Sequence, residues 1–83
     1  MKTVNSIHSP KNKYDVEVNY LKPLKGVGSV VGFTTNNIAG IDDSIRDGWM
    51  NNEKEVHVVI RENKSTYPEF NWQIIASYDL KSL

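Results

Sequence analysis

The chain contains no cysteine, so neither a disulfide nor a zinc site built on thiolates is available to it. It has only two histidines, His8 and His57, which leaves few groups for metal or nucleophilic chemistry. We therefore expect no metal site and no cofactor. With 83 residues, the chain has room for one domain, near the lower size limit for folding on a hydrophobic core alone. The packing of apolar side chains must supply nearly all of its stability.

The net charge is zero, because ten acidic residues balance ten basic ones. The chain as a whole is therefore not attracted electrostatically to nucleic acid or to an anionic membrane. The N-terminus has no apolar run typical of a signal sequence, and no window is long enough to span a membrane. We expect a cytoplasmic protein with no membrane contact. The charges are uneven, since residues 1–40 hold five lysines and two acidic residues whereas residues 41–83 hold five basic and eight acidic residues.

The longest regular pattern covers residues 70–80. Aromatic and aliphatic residues occupy every second position, and polar residues fill the positions between them except at Ile75. Side chains alternate between the two faces of a strand, so the pattern predicts a long strand with one buried face. The residues assigned to that buried face are Phe70, Trp72, Ile74, Ala76, Tyr78 and Leu80.

Three further segments are predicted to be strands: 14–21 and 55–61 alternate apolar and polar residues in the same way, and 30–35 is rich in β-branched and aromatic residues. A loop over residues 21–29, which contains a proline and two glycines, joins the first two as a hairpin. Before the third strand the apolar period changes to that of an amphipathic helix. The apolar stripe of this helix consists of Ile38, Ile41, Ile45 and Trp49.

The element order ββαββ predicts an α+β domain over residues 14–83, in which one helix packs on one face of a four-stranded, mainly antiparallel sheet. Residues 1–13 are mostly polar and are expected to form a flexible arm, with a short edge strand within residues 3–7 as the alternative. A right-handed crossover would give a mixed, β-grasp-like sheet with the first and last strands side by side at the centre. A plain meander is the alternative.

Glu55, His57 and Arg61 share the outward face of the strand 55–61 and are candidates for catalysis. A carboxylate, an imidazole and a guanidinium are suited to act as the general base, the general acid and the phosphate anchor of a small ribonuclease. However, at about 3.3 Å per residue, His57 and Arg61 lie roughly 13 Å apart along the strand. A solvated strand face is the favoured interpretation, and a ribonuclease is the second alternative function.

Nucleic-acid binding is the first alternative function, and it depends on Lys11, Lys13, Lys22 and Lys25. Lysines beside a glycine-rich backbone attract phosphate groups. The run LKPLKGVG over residues 21–28 resembles the hairpin of the helix-hairpin-helix motif, and the resemblance implies contacts from glycine amides to a DNA backbone. The alternating flanks of the run favour a hairpin loop between two strands instead.

The leading hypothesis is a non-enzymatic protein-binding module, since the core is well patterned and no motif with catalytic spacing is found. We expect a small accessory or inhibitor protein, of the kind that phages and mobile elements carry, whose partner is another protein or a second copy of this chain. Two surfaces are assigned to partner binding. The outward sheet face carries His57, Val59, Gln73 and Ile75, and the outward helix face carries Asp43 and Asp47.

Overall fold

Five strands and one helix are found in the computed structural model, which describes residues 4–7, 12–24, 28–65 and 69–83. In chain order they are β1 (Val4–Ile7), β2 (Tyr14–Leu24), β3 (Gly28–Thr35), α1 (Ile41–Gly48), β4 (Glu55–Asn63) and β5 (Trp72–Lys81). The α+β class with one helix is confirmed, and the alternative edge strand within residues 3–7 is present as β1. The flexibility expected for residues 1–13 stays a prediction.

The five strands form one open sheet in the order β1-β3-β2-β4-β5. β1 runs parallel to β3, and all other neighbours are antiparallel, so the sheet is mixed and mainly antiparallel, as predicted. Because β2 lies between β3 and β4, the connection through α1 crosses over β2. Within the described ranges, no helix is both long enough and apolar enough to cross a membrane.

The central position predicted for the last strand is wrong. In a β-grasp sheet the first and last of the four strands pair, but here β5 lies at the sheet edge beside β4. The order is not a plain meander either, since β2 separates β3 from β4. Burial explains the difference, because Val16 and Val18 of β2 and Val58 of β4 are fully buried, whereas Ile74 and Ile75 of β5 are exposed. The strands whose inward face is rich in β-branched residues therefore lie at the centre of the sheet.

The first hairpin is longer than predicted, because β2 continues to Leu24 and β3 begins at Gly28. The pairing of β2 with β4 ends at Tyr20. Pro23, which has no N–H to donate to a ladder, lies beyond the described pairing of β2 with β4. Residues 25–27 at the tip lie outside the described part of the chain. Strands rather than helices flank this run, so the hairpin interpretation is confirmed and the helix-hairpin-helix resemblance does not hold.

The short helix α1 places the predicted apolar stripe on the sheet. Gly40 precedes it with a φ of 70°, a left-handed conformation that glycine adopts without steric cost. Ile45 is fully buried at the centre of the core. The ring of Trp49, just past the helix, stacks on Phe33 of β3 with centroids 4.7 Å apart. The stripe is therefore confirmed, although Ile38 precedes the helix and Trp49 follows it.

One cluster of buried side chains lies between α1 and the sheet. Its members are Val16, Val18, Tyr20, Val31, Ile45, Met50, Val56, Val58, Ile60 and Leu80. The inward positions predicted for β2 and β4 supply most of them. Burial of one Val, Leu or Ile side chain contributes about 1.5–3 kcal/mol, so this cluster is the main source of stability in a chain without cross-links.

A β-bulge interrupts the predicted alternation of β5. Ile60 of β4 pairs with Ala76, and the next residue, Arg61, pairs with Ile74, so Ile75 has no partner across this ladder. One extra residue in a strand reverses the faces on its two sides. Ala76 therefore lies on the helix side of the sheet, and Ile74 lies on the opposite side with Arg61.

Because of the bulge, only part of the apolar row predicted for the buried face of β5 lies on that face. Ala76, Tyr78 and Leu80 lie on the helix side as predicted and pack on the core. Trp72 and Ile74 were predicted to lie in the same row, but their ladder positions place both on the face away from α1. The residue that broke the sequence pattern, Ile75, is the bulge residue itself.

Candidate functional site

The sheet face away from α1, called the open face below, carries most of the polar groups that are able to take part in chemistry. β4 contributes His57, Val59 and Arg61, β2 contributes Asp15, Glu17 and Asn19, and β5 contributes Ile74, Ser77 and Asp79. Strand pairing brings these residues together, since cross-strand partners lie about 4.5–5.5 Å apart at their Cβ atoms.

Arg61 is held between two carboxylates of β2. Its Nη1 atom lies 2.8 Å from Oε1 of Glu17 and 3.6 Å from Oδ2 of Asp15. Burial alone would raise the pKa of Glu17, but hydrogen bonds from Arg61 and Asn19 outweigh it and lower that pKa below its usual range. Because the guanidinium already has two anionic partners, it is poorly suited to anchor a phosphate.

His57 has the most specific contacts of the open face. Its Nδ1 atom lies 2.8 Å from Oδ1 of Asp79, and its Nε2 atom lies 2.9 Å from Oγ of Ser77. When Nδ1–H donates to Asp79, Nε2 accepts from the Ser77 hydroxyl, which is the connectivity of a serine nucleophile, a histidine base and an orienting aspartate. The side chains of His57 and Asp79 are 40% and 62% exposed, and pairs that face water are weak. The Ser77–His57–Asp79 cluster thus has the connectivity of a catalytic triad without its burial.

Ser77 and Asp79 are functional candidates that sequence reasoning missed. Their contacts with His57 depend on the register of β4 and β5, in which Asp79 is the direct partner of His57. A serine and an aspartate two positions apart, facing a histidine in the neighbouring strand, would have been the signal. In contrast, Glu55 of the predicted ribonuclease group lies opposite Lys81 and does not join the cluster.

Four large apolar residues gather at the N-terminal end of β5, and we call them the bulge patch. They are Phe70, Trp72, Ile74 and Ile75. Phe70, Ile74 and Ile75 are 43%, 60% and 42% exposed. The rings of Phe70 and Trp72 stack with centroids 6.5 Å apart. Exposed apolar clusters beside polar residues are typical of interaction sites.

The residues assigned to the outward sheet face do not form one surface. His57 and Val59 lie on the open face, although Val59 is nearly buried. Gln73 pairs with Glu62 and lies on the helix side, so its predicted position beside His57 is wrong. The reason is the bulge at Ile75, which reverses the parity of the residues before it. Their role in partner binding stays a prediction.

A groove of about 680 Å³ separates the N-terminal end of α1 from β5. Its lining consists of Ile38, Gly40, Ile41, Asp42, Asp43, Arg46 and Tyr78. The Tyr78 hydroxyl donates a hydrogen bond to Asp42, and burial together with this bond raises the pKa of Tyr78. Asp43 pairs with Arg46 at 3.3 Å, while Asp47 is exposed one turn further along the helix. Only one of the two predicted helix residues therefore belongs to the groove.

The predicted lysine surface lies only partly within the described residues. The Nζ atom of Lys13 lies 3.1 Å from Oε2 of Glu62, which already neutralises part of its charge. Lys22 is exposed in β2. Lys11 and Lys25 lie outside the described ranges. Nucleic-acid binding through these four lysines stays a prediction.

Among the described residues, no three histidine, aspartate or glutamate side chains form a group able to hold a metal ion. No family model matches the chain, and comparisons with curated proteins and with solved structures find no match. The open face, the bulge patch and the groove are therefore the features of this chain that bear on its function.

Proposed function

We propose that this chain is a non-enzymatic protein-binding module that docks its partner on the bulge patch. The observation that carries the proposal is the exposure of Ile74 and Ile75 in the strand that also carries Trp72, whose ring stacks on Phe70. A domain near the lower size limit has few large apolar side chains, and these four contribute little to its core. Burying the part of one such side chain that is still exposed would contribute roughly 1 kcal/mol to binding.

Polar groups beside the bulge patch support the same function. Ile74 lies next to Arg61 in the ladder, and Arg61 is in turn paired with Glu17. An apolar centre within a polar rim is the usual composition of a protein interface, and Trp and Arg are enriched among the residues that dominate binding energy. We expect Trp72 and Ile74 to contribute most to partner affinity.

A paired substitution tests the proposal. Ile74→Lys changes the bulge patch, and Leu21→Lys is the matched control, because Leu21 is 64% exposed against 60% for Ile74 and lies beyond the part of β2 that pairs with β4. Wild type and both variants are immobilised, and the proteins each captures from a lysate of the source cells are identified by mass spectrometry. We expect one partner to bind wild type and Leu21→Lys but not Ile74→Lys. Equal capture by all three chains, or none by wild type, would contradict the proposal.

The Ser77–His57–Asp79 cluster favours a second candidate function, hydrolysis on the open face. His57, oriented by Asp79, would act as the general base, either towards an activated ester through Ser77 or towards RNA as in the ribonuclease alternative. Hydrolysis of p-nitrophenyl acetate and cleavage of RNA are measured for wild type, His57→Ala and Ser77→Ala. Activity that disappears in His57→Ala supports this function, and rates unchanged by His57→Ala exclude it.

A further inference from the structure

The groove lies beside β5, which ends the sheet within the described part of the chain. Tyr78 forms one wall from β5, and Ile41 forms the other from α1. β4 pairs with the inner side of β5, and no strand of the described residues pairs with its outer side, so a segment added there would lie next to the groove wall formed by Tyr78. An edge strand offers unpaired backbone N–H and C=O groups, and extended peptides bind such edges by adding a further strand.

Two features limit the available edge to a short stretch. At one end, the bulge at Ile75 interrupts regular pairing. At the other end, Nε of Arg46 donates a hydrogen bond of 2.9 Å to the carbonyl oxygen of Lys81. Residues 76–80 lie between them and span about 17 Å at 3.4 Å per residue. The edge therefore matches an extended segment of similar length.

The side chains of a strand added there would alternate between the two faces of the sheet, so its two rows would contact different surfaces. On the helix side, one row would lie over the groove, whose apolar lining is Ile38, Ile41 and the Tyr78 ring. On the other side, the second row would lie beside the open face, next to Ser77 and Ile74. The groove wall therefore favours aliphatic side chains in the first row.

The charge of the groove is acidic. Asp42 and Asp43 lie in its lining with one cation, Arg46. The side chain of Asp43 is exposed, so its carboxylate is accessible to an incoming cation as well as to Arg46. Complementary charge raises the rate of association and excludes partners of like charge. The groove therefore favours a lysine or arginine in its occupant.

We propose that the partner docked on the bulge patch also contributes an extended segment of about five residues, containing aliphatic and basic side chains, that pairs with residues 76–80 of β5 as a sixth strand. One basic side chain of the peptide lies at Asp43. This inference rests on the proposed function and specifies the chemistry of the partner and its mode of binding.

The probe is a peptide selected from a phage-displayed random library that is panned against the full chain. Its affinity is measured by calorimetry for wild type, Asp43→Lys and Asp47→Lys. Asp47 is the matched control because it lies on the same helix and undergoes the same charge change outside the groove lining. We expect Asp43→Lys to weaken binding by at least about tenfold and Asp47→Lys by less than about threefold. Enriched peptides without basic residues, or equal affinities for the two variants, would overturn the inference.

Amide hydrogen exchange provides a direct measure of strand pairing. Saturating peptide should slow exchange at amides within residues 76–80, and the absence of new protection there would overturn strand addition. Slower exchange in residues 76–80 on raising the protein concentration alone would show that a second copy occupies the edge, which also overturns it. A lysate partner that is lost in Ile74→Lys, but does not protect residues 76–80, would support the bulge patch and overturn only the strand addition.

Discussion

β4 and β5 are the two arms of one hairpin, and both alternate apolar and polar residues in sequence, yet they contribute differently to the molecule. The inward residues of β4, Val56, Val58 and Ile60, are all buried in the core. In β5 the alternation has the same form, but Ile74 is exposed, because the bulge at Ile75 reverses the faces of the strand. Alternation therefore identifies a strand, but it does not determine which residues are buried when an extra residue lies within it.

This difference separates the strand that supplies the core from the strand that carries the proposed recognition surfaces. β4 is paired on both sides and supplies the core, whereas β5 is paired with β4 and has its other side at the sheet edge. The bulge patch, the groove and two members of the Ser77–His57–Asp79 cluster all belong to β5 or adjoin it. If the two strands differ in this way, equivalent substitutions in β4 and β5 should have different effects.

The largest expected effect comes from truncating the same residue type in the two strands. Ile60→Ala should reduce the free energy of unfolding by about 2–5 kcal/mol, because it leaves a cavity in the core. Ile74→Ala should change it by less than about 0.5 kcal/mol, since the side chain faces solvent. Urea unfolding followed by tryptophan fluorescence measures both. Losses of similar size would show that Ile74 is buried like Ile60.

Deletion of Ile75 tests the bulge itself. Ala76 and Ile74 already pair with successive residues of β4, so removal of the unpaired residue leaves their faces unchanged. We expect a change in the free energy of unfolding of no more than about 1 kcal/mol, the net value of one hydrogen bond. If the alternation of β5 were unbroken, the deletion would transfer Ile74 and Trp72 out of the core, at a cost of about 2–5 kcal/mol for each. Chemical denaturation distinguishes these outcomes.

The smallest expected effect on stability concerns the ion pair between Glu17 of β2 and Arg61 of β4 on the open face. The pKa of Glu17 is lower in the folded than in the unfolded chain, so its contribution to stability is present above the unfolded pKa, about 4.3, and is lost as the pH falls towards the folded value. The stability difference between wild type and Glu17→Gln should therefore be larger at pH 7 than at pH 3.

Urea midpoints at the two pH values measure this difference. Glu69→Gln, at an exposed position before β5, is the control for a general loss of negative charge. A difference between wild type and Glu17→Gln that is the same at both pH values would contradict the pairing of Glu17 with Arg61.

The fold class was predictable because it depends on local patterns. The valines of β2 and β4 and the stripe around Ile45 are arranged with the periods of a strand and a helix, and the structure buries them as predicted. The strand order was not predictable in this way. It depends on which strands are paired on both sides and buried, and this is a property of the whole chain. The bulge at Ile75 was visible only as one residue out of pattern.

The candidate site was less predictable than the fold. His57 was identified because it is a titratable residue in a clear strand, but its contacts with Ser77 and Asp79 follow from register, which the long connection between β4 and β5 does not specify. Gln73 was placed on the wrong face for the same reason as Ile74. Asp43 was identified from the helix period, but its position in a groove depends on how α1 lies on the sheet.

A nuclear Overhauser spectrum of the full chain that locates the methyl groups of Ile74 tests the reversed face of β5 most directly. We predict cross-peaks between these methyls and the side chain of Arg61, the cross-strand partner of Ile74, and none with Ile45 of α1. Cross-peaks between Ile74 and Ile45 would show that β5 buries its whole apolar row, and they would contradict the bulge patch as a binding surface.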